Sequence, residues 1–378
     1  MSEWLFWGFL LLILYTYFGY PALLFLVSLF RRRPVQKGDV TPSVSIIIAV
    51  HNEEKIIKEK IENTLSLNYP QEKLEIIIVS DCSTDSTDQM VSQFEKEGVK
   101  LFSLNERKGK HYAQAIGLDQ TKGEILAFTD AAAILEKNAL LNLVKNFADL
   151  KVGCVTSEDK VQSKEEINRE EGIYVKYEMN LRRLESNVCS VVGLSGSFFA
   201  VRKQLCKEWP LEYSSDFFLA LRSFTHGYRG INETSSITYY GAVPSSKGEF
   251  NRKVRTVANG LRVLIKNFQI LNIARFGFFS VQVISHKLFR WMVPLFLVLL
   301  FLENLFVVNE SELYLFFLIA QLVFYSMAGL ASFFPNLNKK RIFRIPSFFC
   351  LVNLAILVAW FEIFVGKTHF VWEPSQRK

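Results

Sequence analysis

The sequence lacks the short motifs that identify several large classes of protein. It has no G-x-G-x-x-G after its first predicted strand and no G-x-x-x-x-G-K-[ST] anywhere, so the dinucleotide oxidoreductase and P-loop NTPase classes lose their usual support. Only five cysteines occur among 378 residues. None forms a C-x-x-C pair or has metal-ligand spacing, which favours small buried side chains in a reducing compartment. No sustained repeat or low-complexity tract is present.

Apolar residues, by contrast, are abundant. They make up 50% of the chain, with 34 phenylalanines and a mean hydropathy of +0.17. The net charge is +7 and the pI is near 9.0. A basic balance fits nucleic acid, an anionic membrane surface or a phosphorylated substrate. The apolar character of the two ends of the chain favours the membrane.

The first apolar run covers residues 4–30 and contains no charged residue. A transmembrane helix needs about 20 such residues, whereas a cleaved signal peptide is shorter, follows basic residues and ends in small ones. Pro21 lies mid-span, where membrane helices tolerate it. The arginines at 31–33 follow directly, so the positive-inside rule puts the N-terminus outside and the next domain in the cytoplasm.

Three more apolar runs lie near the C-terminus, at 291–308, 313–334 and 348–365. Basic residues at 339–344 place the loop between the second and third runs inside. Three crossings would then put the tail outside, although the tail is itself basic, so two and three crossings both stay open. Glu362, in the last run, is either a functional intramembrane acid or a residue paired near a helix end.

Between these apolar regions the pattern alternates between strands and helices. Val44–Val50 is rich in β-branched residues, as in a buried parallel strand, and further strands are predicted at 74–79, 100–104 and 124–129. This alternation predicts a parallel α/β sheet covered on both faces. Ligands of such sheets bind beyond the carboxyl ends of the strands. The polar cluster 51–53, Asp81 and Asp130 all fall at such ends.

Seven motifs in order then resemble the inverting glycosyltransferases of family 2, which have a GT-A fold. They are PSVSIIIAVHNEEKI, EIIIVSDCSTDST, KGKHYAQAIGL, GEILAFTDAAA, GLSGSFFAVR, SSDFFLALRSFTHGYRG and FNRKVRT. The resemblance covers roughly residues 41 to 260. The flanking apolar segments resemble those of the polysaccharide-synthase branch, which includes cellulose and hyaluronan synthase relatives.

The resemblance assigns roles to particular positions. It implies that Asp216 is the general base that deprotonates the acceptor hydroxyl, and that Asp130, the first acid of a DxD motif, reaches the ribose and a metal diphosphate. It implies a nucleotide-sugar site with these further members: Asn52, Glu53, Asp81, Lys110 beside Gly109, and Arg255. A carboxylate within reach of a hydroxyl, and cations beside a diphosphate leaving group, suit an inverting displacement.

The sequence departs from the family pattern at three positions beside these residues. Ala132 replaces the last acid of the DxD motif, Ser215 replaces the acid before Asp216, and Thr256 replaces the tryptophan of the Q-x-x-R-W motif of processive synthases. Two interpretations of Ala132 stay open. A divalent metal, Mg²⁺ or Mn²⁺, is held by Asp130 with diphosphate, water or a carboxylate from elsewhere, or basic residues such as Lys110 take its place.

Other polar residues have competing interpretations. The charged residues of the segment 178–185 fit surface i,i+4 pairs or a wall of the acceptor site. Those of 275–291 fit an interfacial helix that meets anionic headgroups. His51 is expected in a pocket wall, and Phe198 and Phe199 in the core.

The resulting hypothesis is a multi-pass cell-membrane protein with a cytoplasmic GT-A domain. The predicted segments are an N-terminal transmembrane helix (1–33), the glycosyltransferase domain (34–270), an interfacial helix (271–290), two or three C-terminal transmembrane helices (291–366) and a tail (367–378). The expected reaction moves a sugar from a UDP- or GDP-type donor to a lipid-linked or polysaccharide acceptor, without nucleic acid and with polysaccharide-assembly partners allowed. The alternatives are an inactive scaffold in a glycan-assembly complex and a processive polysaccharide synthase.

Overall fold

Eight strands form one mixed sheet in the computed structural model, which describes residues 2–162, 169–211, 213–241 and 246–367. The strands are β1 (Val44–Val50), β2 (Leu74–Ser80), β3 (Val99–Ser103), β4 (Ile125–Thr129), β5 (Ala133–Leu135), β6 (Val152–Gln162), β7 (Phe198–Arg202) and β8 (Arg229–Gly241). Their order is β3-β2-β1-β4-β7-β6-β8-β5. The first four are parallel neighbours, and β7 runs antiparallel to β4 and β6.

Fourteen α-helices lie in the described part of the chain. They are α1 (Ser2–Leu14), α2 (Tyr20–Phe30), α3 (Ile57–Leu65), α4 (Thr87–Ser92), α5 (Lys110–Leu118), α6 (Ala139–Val144), α7 (Arg169–Val188), α8 (Ser215–Thr225), α9 (Ser246–Lys266), α10 (Ile273–Phe276), α11 (Phe278–Val283), α12 (Phe289–Val307), α13 (Glu312–Phe333) and α14 (Arg341–Phe364). Short π-helical turns join α1 to α2 and α11 to α12.

Apolar side chains fill both faces of the sheet. All seven residues of β1 are buried, since the two faces of this central strand face separate hydrophobic clusters. Phe198 and Phe199 on β7 are fully buried, as the sequence predicted. The α/β class and the four predicted strands are confirmed, with shifts of one residue at some ends. A sheet covered on both faces leaves ligands only its edges, so the strand ends are where a site can form.

Four helices are long and apolar enough to cross a membrane: Glu3–Phe30, Phe278–Val307, Glu312–Phe333 and Arg341–Phe364. They mark the chain as a membrane protein. The first, second and third pack together around an aromatic cluster in which the rings of Phe6 and Tyr314 lie 5.1 Å apart. The first also carries a proline. Pro21 has no N–H for the carbonyl of Tyr17, and the hydroxyl of Tyr177 donates to that oxygen at 3.1 Å.

The charged residues around 275–291 lie differently from the interfacial helix that the sequence suggested. Residues 278–307 form one continuous helical segment, because the π-turn Ile284–Leu288 joins α11 to α12. His286, Arg290 and Trp291 are only 1%, 8% and 8% exposed, and His286 and Arg290 contact Glu178 on α7. Arg275 alone of the four residues named here is exposed.

Candidate active site

A cavity of about 390 Å³ opens at the carboxyl ends of β1 and β4. Its polar lining mixes both signs of charge. The acids are Glu53, Asp130, Asp159, Glu178 and Asp216, and the bases are Lys110, Arg182, Arg252, Lys253, Arg255 and Lys287. Five of the seven predicted site residues line this cavity: Glu53, Lys110, Asp130, Asp216 and Arg255. The edge of the sheet that the sequence indicated therefore carries a shared concave site.

A second and larger cavity, of about 1010 Å³, lies at the opposite edge of the sheet. Its lining includes Pro42, Glu124 and Ile125, which precede or begin β1 and β4, so it sits at the amino ends of the parallel strands. None of the predicted site residues lines this larger cavity. Ligands of open α/β sheets bind at the carboxyl ends, and we therefore assign the smaller cavity as the candidate active site.

Asp130 follows β4 directly and projects into the cavity. The ammonium group of Lys110 donates to Asp130 Oδ1 in a close ion pair. Behind this pair lies Lys60, which is fully buried and donates to Thr129 Oγ1 at 2.9 Å and to the Ala133 carbonyl at 2.6 Å. Lys60 thus braces the turn that carries Asp130. This role could not be predicted, because Lys60 lies on an amphipathic helix, where a lysine is usually exposed.

Asp81 and Asn52 do not line the cavity; they order the loops beside it. Asp81 is fully buried, and its two carboxylate oxygens accept the backbone N–H groups of Lys108 (2.7 Å) and Gly109 (2.8 Å). Gly109 has φ +98°, a conformation that favours glycine. Asp81 thereby fixes the loop that delivers Lys110. The side-chain oxygen of Asn52 accepts the backbone N–H of Thr84 at 2.8 Å.

Asp216 occupies the first turn of α8, on the cavity wall. Its Oδ1 accepts the N–H of Phe217 at 2.8 Å, and its carbonyl accepts the N–H of Leu194 at 3.2 Å. A methyl group placed on Gly196 would lie 3.8 Å from Asp216 Oδ2, so the second oxygen faces the loop 193–196. Ser215, at the position of the missing acid, donates its hydroxyl to Gln114 at 3.0 Å.

His111, at the start of α5, also lines the cavity. Burial lowers the pKa of His111 to about 4, and Lys110 lowers it further, while Asp216 and Asp130 both oppose this shift. All four groups therefore lie close together. The buried Nδ1 of His111 has no hydrogen-bond partner among the described residues. His111 stays neutral at pH 7 and presents a polar atom to the cavity.

Asp159 is an acid of the cavity that the sequence analysis missed. It lies on β6, where Ser195 donates to its Oδ2 in a short hydrogen bond and Ser157 contacts its Oδ1 at 3.4 Å. Burial raises the pKa of Asp159 to about 6, a shift that Arg182 opposes and Asp130 reinforces. Asp159 and Asp130 thus share one cavity. The only sequence signal was two consecutive acids, which resembled an exposed strand.

A buried polar network joins this domain to the membrane segments. Glu185 on α7 is fully buried and accepts from Tyr20 on α2 at 2.7 Å and from His286 at 2.6 Å. On the same helix, Glu178 contacts His286 at 3.1 Å and Arg290 at 2.8 Å. Burial alone would raise the pKa of Glu178, but its two basic neighbours outweigh burial and hold that pKa well below its usual range. The interpretation of this segment as surface pairs is therefore wrong.

The membrane segment also supplies part of the cavity wall. Lys287 and Trp291, four residues apart, both line the cavity. They face α9, on which Arg255 and Thr256 lie. The indole of Trp291 packs so close to Gly260 that a methyl group there would lie 2.8 Å from it. Lys287 and Trp291 come from the region that the sequence assigned to a membrane interface, and no local pattern marks them as site residues.

The architecture of a mixed sheet with an acid-lined cavity at its parallel strand ends is that of the GT-A fold. A mannosyltransferase from Pyrobaculum calidifontis, solved in complex with GDP-Man and Mn²⁺, shares this fold across the whole chain: the TM-score is 0.73, at 22% identity, over 97% of this chain and 100% of that one. At this identity the likeness establishes the fold alone.

The family model for glycosyl transferase family 2 matches residues 45–209. A poly-beta-1,6-N-acetyl-D-glucosamine synthase of Staphylococcus aureus (strain COL) is 25% identical over 245 residues, which is 63% of this chain and 59% of the synthase. The synthase of Staphylococcus epidermidis is 24% identical over 233 residues, 60% of this chain and 56% of the relative. The chain thus spans less than two thirds of the length of these relatives. Residues 45–209 are therefore similar to the catalytic domain of glycosyl transferase family 2, and the similarity to the two synthases extends over longer stretches of the chain.

Proposed function

We propose that the protein transfers a sugar from a nucleotide-sugar donor to a lipid-linked or polysaccharide acceptor at the cytoplasmic face of the membrane, with inversion at the anomeric carbon. The observation that carries this proposal is the shared cavity. Asp216, the proposed base, and the Asp130–Lys110 pair, the proposed donor site, line the same 390 Å³ at the carboxyl ends of the strands.

The donor side of the cavity is proposed at Asp130 and Lys110, with Glu53 on the same wall. The diphosphate of a UDP- or GDP-type donor carries negative charge that grows as its bond to the sugar breaks, and a fixed ammonium group stabilises it. Lys110 is such a group, held in place through the Asp81-ordered loop. The relatives support a nucleotide-sugar donor, since the mannosyltransferase binds GDP-Man.

A divalent metal fits this site only in part. No group of three or more His, Cys, Asp or Glu side chains in the described ranges is arranged to hold a metal ion. Ala132 contributes no ligand, and Asp130 Oδ1 already bears the Lys110 ammonium. Mg²⁺ is often held by one or two carboxylates with substrate phosphates and water. We propose Asp130 as its protein ligand if a metal binds with the donor, and we assign the chemical steps to protein side chains.

The acceptor hydroxyl is proposed to bind beside Asp216. Asp216 Oδ1 is held by the Phe217 N–H, which leaves Oδ2 on the side of loop 193–196 to take the hydroxyl proton. The acceptor oxygen then forms its bond to the anomeric carbon as the bond from that carbon to the diphosphate oxygen breaks. The diphosphate leaves with the electron pair on the face opposite the attack. A single displacement of this kind inverts the anomeric carbon.

The test is a screen of nucleotide-sugar donors on the purified full chain in detergent, with Mg²⁺, with Mn²⁺ and without added metal. We expect turnover of one donor class, and a loss of at least about a hundredfold in kcat for Asp216→Asn, since a general base contributes about 10²–10⁴-fold. Asp119→Asn is the matched control, because Asp119 lines the opposite cavity. Full activity of Asp216→Asn would refute the assignment of the base.

A non-catalytic scaffold is the second candidate, and Ala132 is the observation that favours it, because this cavity residue removes the usual second acid. A scaffold turns over no donor, and Asp216→Asn leaves its cellular phenotype unchanged. A processive synthase is the third. It differs from the proposed enzyme in product length on a gel, and Thr256 at the position of the acceptor-stacking tryptophan argues against it.

A further inference from the structure

One wall of the candidate active site comes from a membrane span. The helical segment Phe278–Val307 has 30 residues, whereas the hydrocarbon core of a bilayer takes about 20. Counting about 20 residues back from Val307 reaches the end of the π-turn Ile284–Leu288. Lys287 therefore lies at the boundary between hydrocarbon and headgroups, and Trp291 lies one turn further in.

These two residues pack against Phe217, the residue that follows the proposed base. The indole of Trp291 meets the ring of Phe217, the neighbour of Asp216, edge-on at 5.9 Å between centroids. The Lys287 ammonium lies 5.9 Å from the centroid of the same ring. A methyl group on Gly193 would lie 3.4 Å from Lys287 Nζ, just as one on Gly196 would lie 3.8 Å from Asp216 Oδ2.

The loop 193–196 therefore has the lysine at one end and the proposed base at the other. Three residues span at most about 11 Å even when fully extended, so the two ends of the loop belong to one wall of the cavity. A sugar phosphate that lies along this loop would have a sugar hydroxyl at Asp216 and its phosphate at Lys287.

The electrostatic setting of Lys287 differs from that of four other cations in the cavity. Lys110 pairs with Asp130, Arg252 and Lys253 pair with Glu249, and Arg182 contacts Glu178. Within the described ranges, Lys287 forms no ion pair with a carboxylate. The charge of Lys287 helps to lower the pKa of the nearby Glu178, but the ion pairs of that carboxylate are with Arg182, His286 and Arg290. A partly buried cation without an ion pair of its own is stabilised when an anion binds beside it.

We infer that Lys287 and Trp291 form an acceptor subsite for a lipid-linked phosphate, a conclusion that rests on the proposed function. The phosphate of a membrane lipid lies at headgroup depth, which is the depth of Lys287. The lysine donates to its oxygens in a charge-assisted hydrogen bond, and the first carbons of the lipid pack on Trp291. The donor diphosphate has its own cation in Lys110, so the two anions occupy different parts of the cavity.

Binding of lipid phosphate to the purified full chain in neutral detergent tests this inference without any donor. The probes are farnesyl phosphate, farnesol and inorganic phosphate. We expect the wild type to bind farnesyl phosphate more tightly than either of the other two. Lys287→Met should weaken farnesyl phosphate binding by at least about tenfold, which is the typical contribution of a hydrogen bond to a charged group. Lys287→Arg should retain most of the wild-type affinity. Lys340→Met is the matched control, because Lys340 caps another candidate span and should bind like the wild type.

Three results would overturn the inference: equal binding by Lys287→Met and wild type, equal affinity for farnesyl phosphate and farnesol, or inorganic phosphate binding with the same dependence on Lys287. Kinetics give a second readout. Lys287→Met should raise KM for a lipid-phosphate-linked acceptor and leave the donor KM unchanged, and a change in donor KM alone would assign the lysine to the leaving group. Failure of the proposed transferase is distinguishable, because the wild type would then bind farnesyl phosphate and turn over no donor.

Discussion

Replacing the buried lysine behind the donor site tests how the cavity is held together. Lys60→Met removes a side chain that is fully buried and that donates to Thr129 and Ala133 on either side of Asp130. Burial lowers the pKa of Lys60 to about 7, although the charge of Asp130 opposes the shift. The methionine has a similar length and no charge, so it removes the titration and the two hydrogen bonds together.

The sign and size of the effect follow from this pKa. In the unfolded chain Lys60 keeps its proton up to its usual pKa of about 10.4, whereas in the folded chain it gives the proton up near pH 7. The folded state is therefore penalised in full below about pH 7, and the penalty fades as the pH rises toward the unfolded pKa. Between about pH 6 and about pH 9, Lys60 alone should raise the free energy of unfolding by about 3 kcal/mol.

Thermal unfolding of the wild type and Lys60→Met in detergent, at about pH 6 and at about pH 9, measures this change in stability. Loss of the two hydrogen bonds lowers the free energy of unfolding of the variant by the same amount at each pH. The titration of Lys60 is therefore measured by how the difference in stability between wild type and variant changes with pH. We expect the wild type to gain stability from pH 6 to pH 9 relative to the variant. Lys58→Met, on the same helix with an exposed side chain, should behave like the wild type. Parallel pH dependence in wild type and Lys60→Met would show that Lys60 does not titrate in this range and refute the reasoning.

Three further outcomes follow from the cavity. Because burial raises the pKa of Asp159 to about 6, Asp159→Asn should abolish any change in donor affinity between about pH 5 and pH 7; an unchanged pH profile would exclude Asp159 from the donor site. Gly260→Ala would place a methyl group 2.8 Å from the Trp291 indole, and we expect a higher acceptor KM, with Gly329→Ala, which contacts nothing, as the control. Because burial and Lys110 lower the pKa of His111 to about 4, His111→Gln should leave the shape of the pH–rate profile above about pH 5 unaltered; loss of a limb there would show that the histidine titrates.

The first half of the sheet could be predicted from the sequence because its strands are buried on both faces. Residues such as those of Val44–Val50 must then be apolar throughout, and the polar residues that end these strands mark the site. The second half gave no such signal. β6 and β8 run through SEDK and NETSS. Asp159 in the first segment lines the cavity, and Glu233 in the second is buried with Asn146 and Lys37 as its partners. Asp159 was missed for this reason.

The cavity walls from other parts of the chain could not be predicted for a different reason. Lys287 and Trp291 are brought to Asp216 by tertiary packing of a span against the catalytic domain, and a basic residue near an apolar run has the same local pattern whether it faces lipid headgroups or a cavity. Lys60 likewise has the helical spacing of a surface residue. Contacts between distant segments leave no local periodicity, whereas strand ends do.

A catalytic domain cut free of its membrane segments should not retain its structure. The predicted domain 34–270 lacks Tyr20, His286 and Arg290, which hold the buried carboxylates of Glu185 and Glu178. Removing one partner of a buried ion pair costs about 3–5 kcal/mol, a large part of the 5–15 kcal/mol that stabilises a typical domain. We expect residues 34–270 alone to aggregate or to unfold well below the full chain. A version with Glu178→Gln and Glu185→Gln should recover part of the loss, since neutral amides cost less to bury. A soluble fragment 34–270 with the melting temperature of the full chain would show that the span is only an anchor, and it would remove the physical basis for a cavity shared between the domain and the membrane.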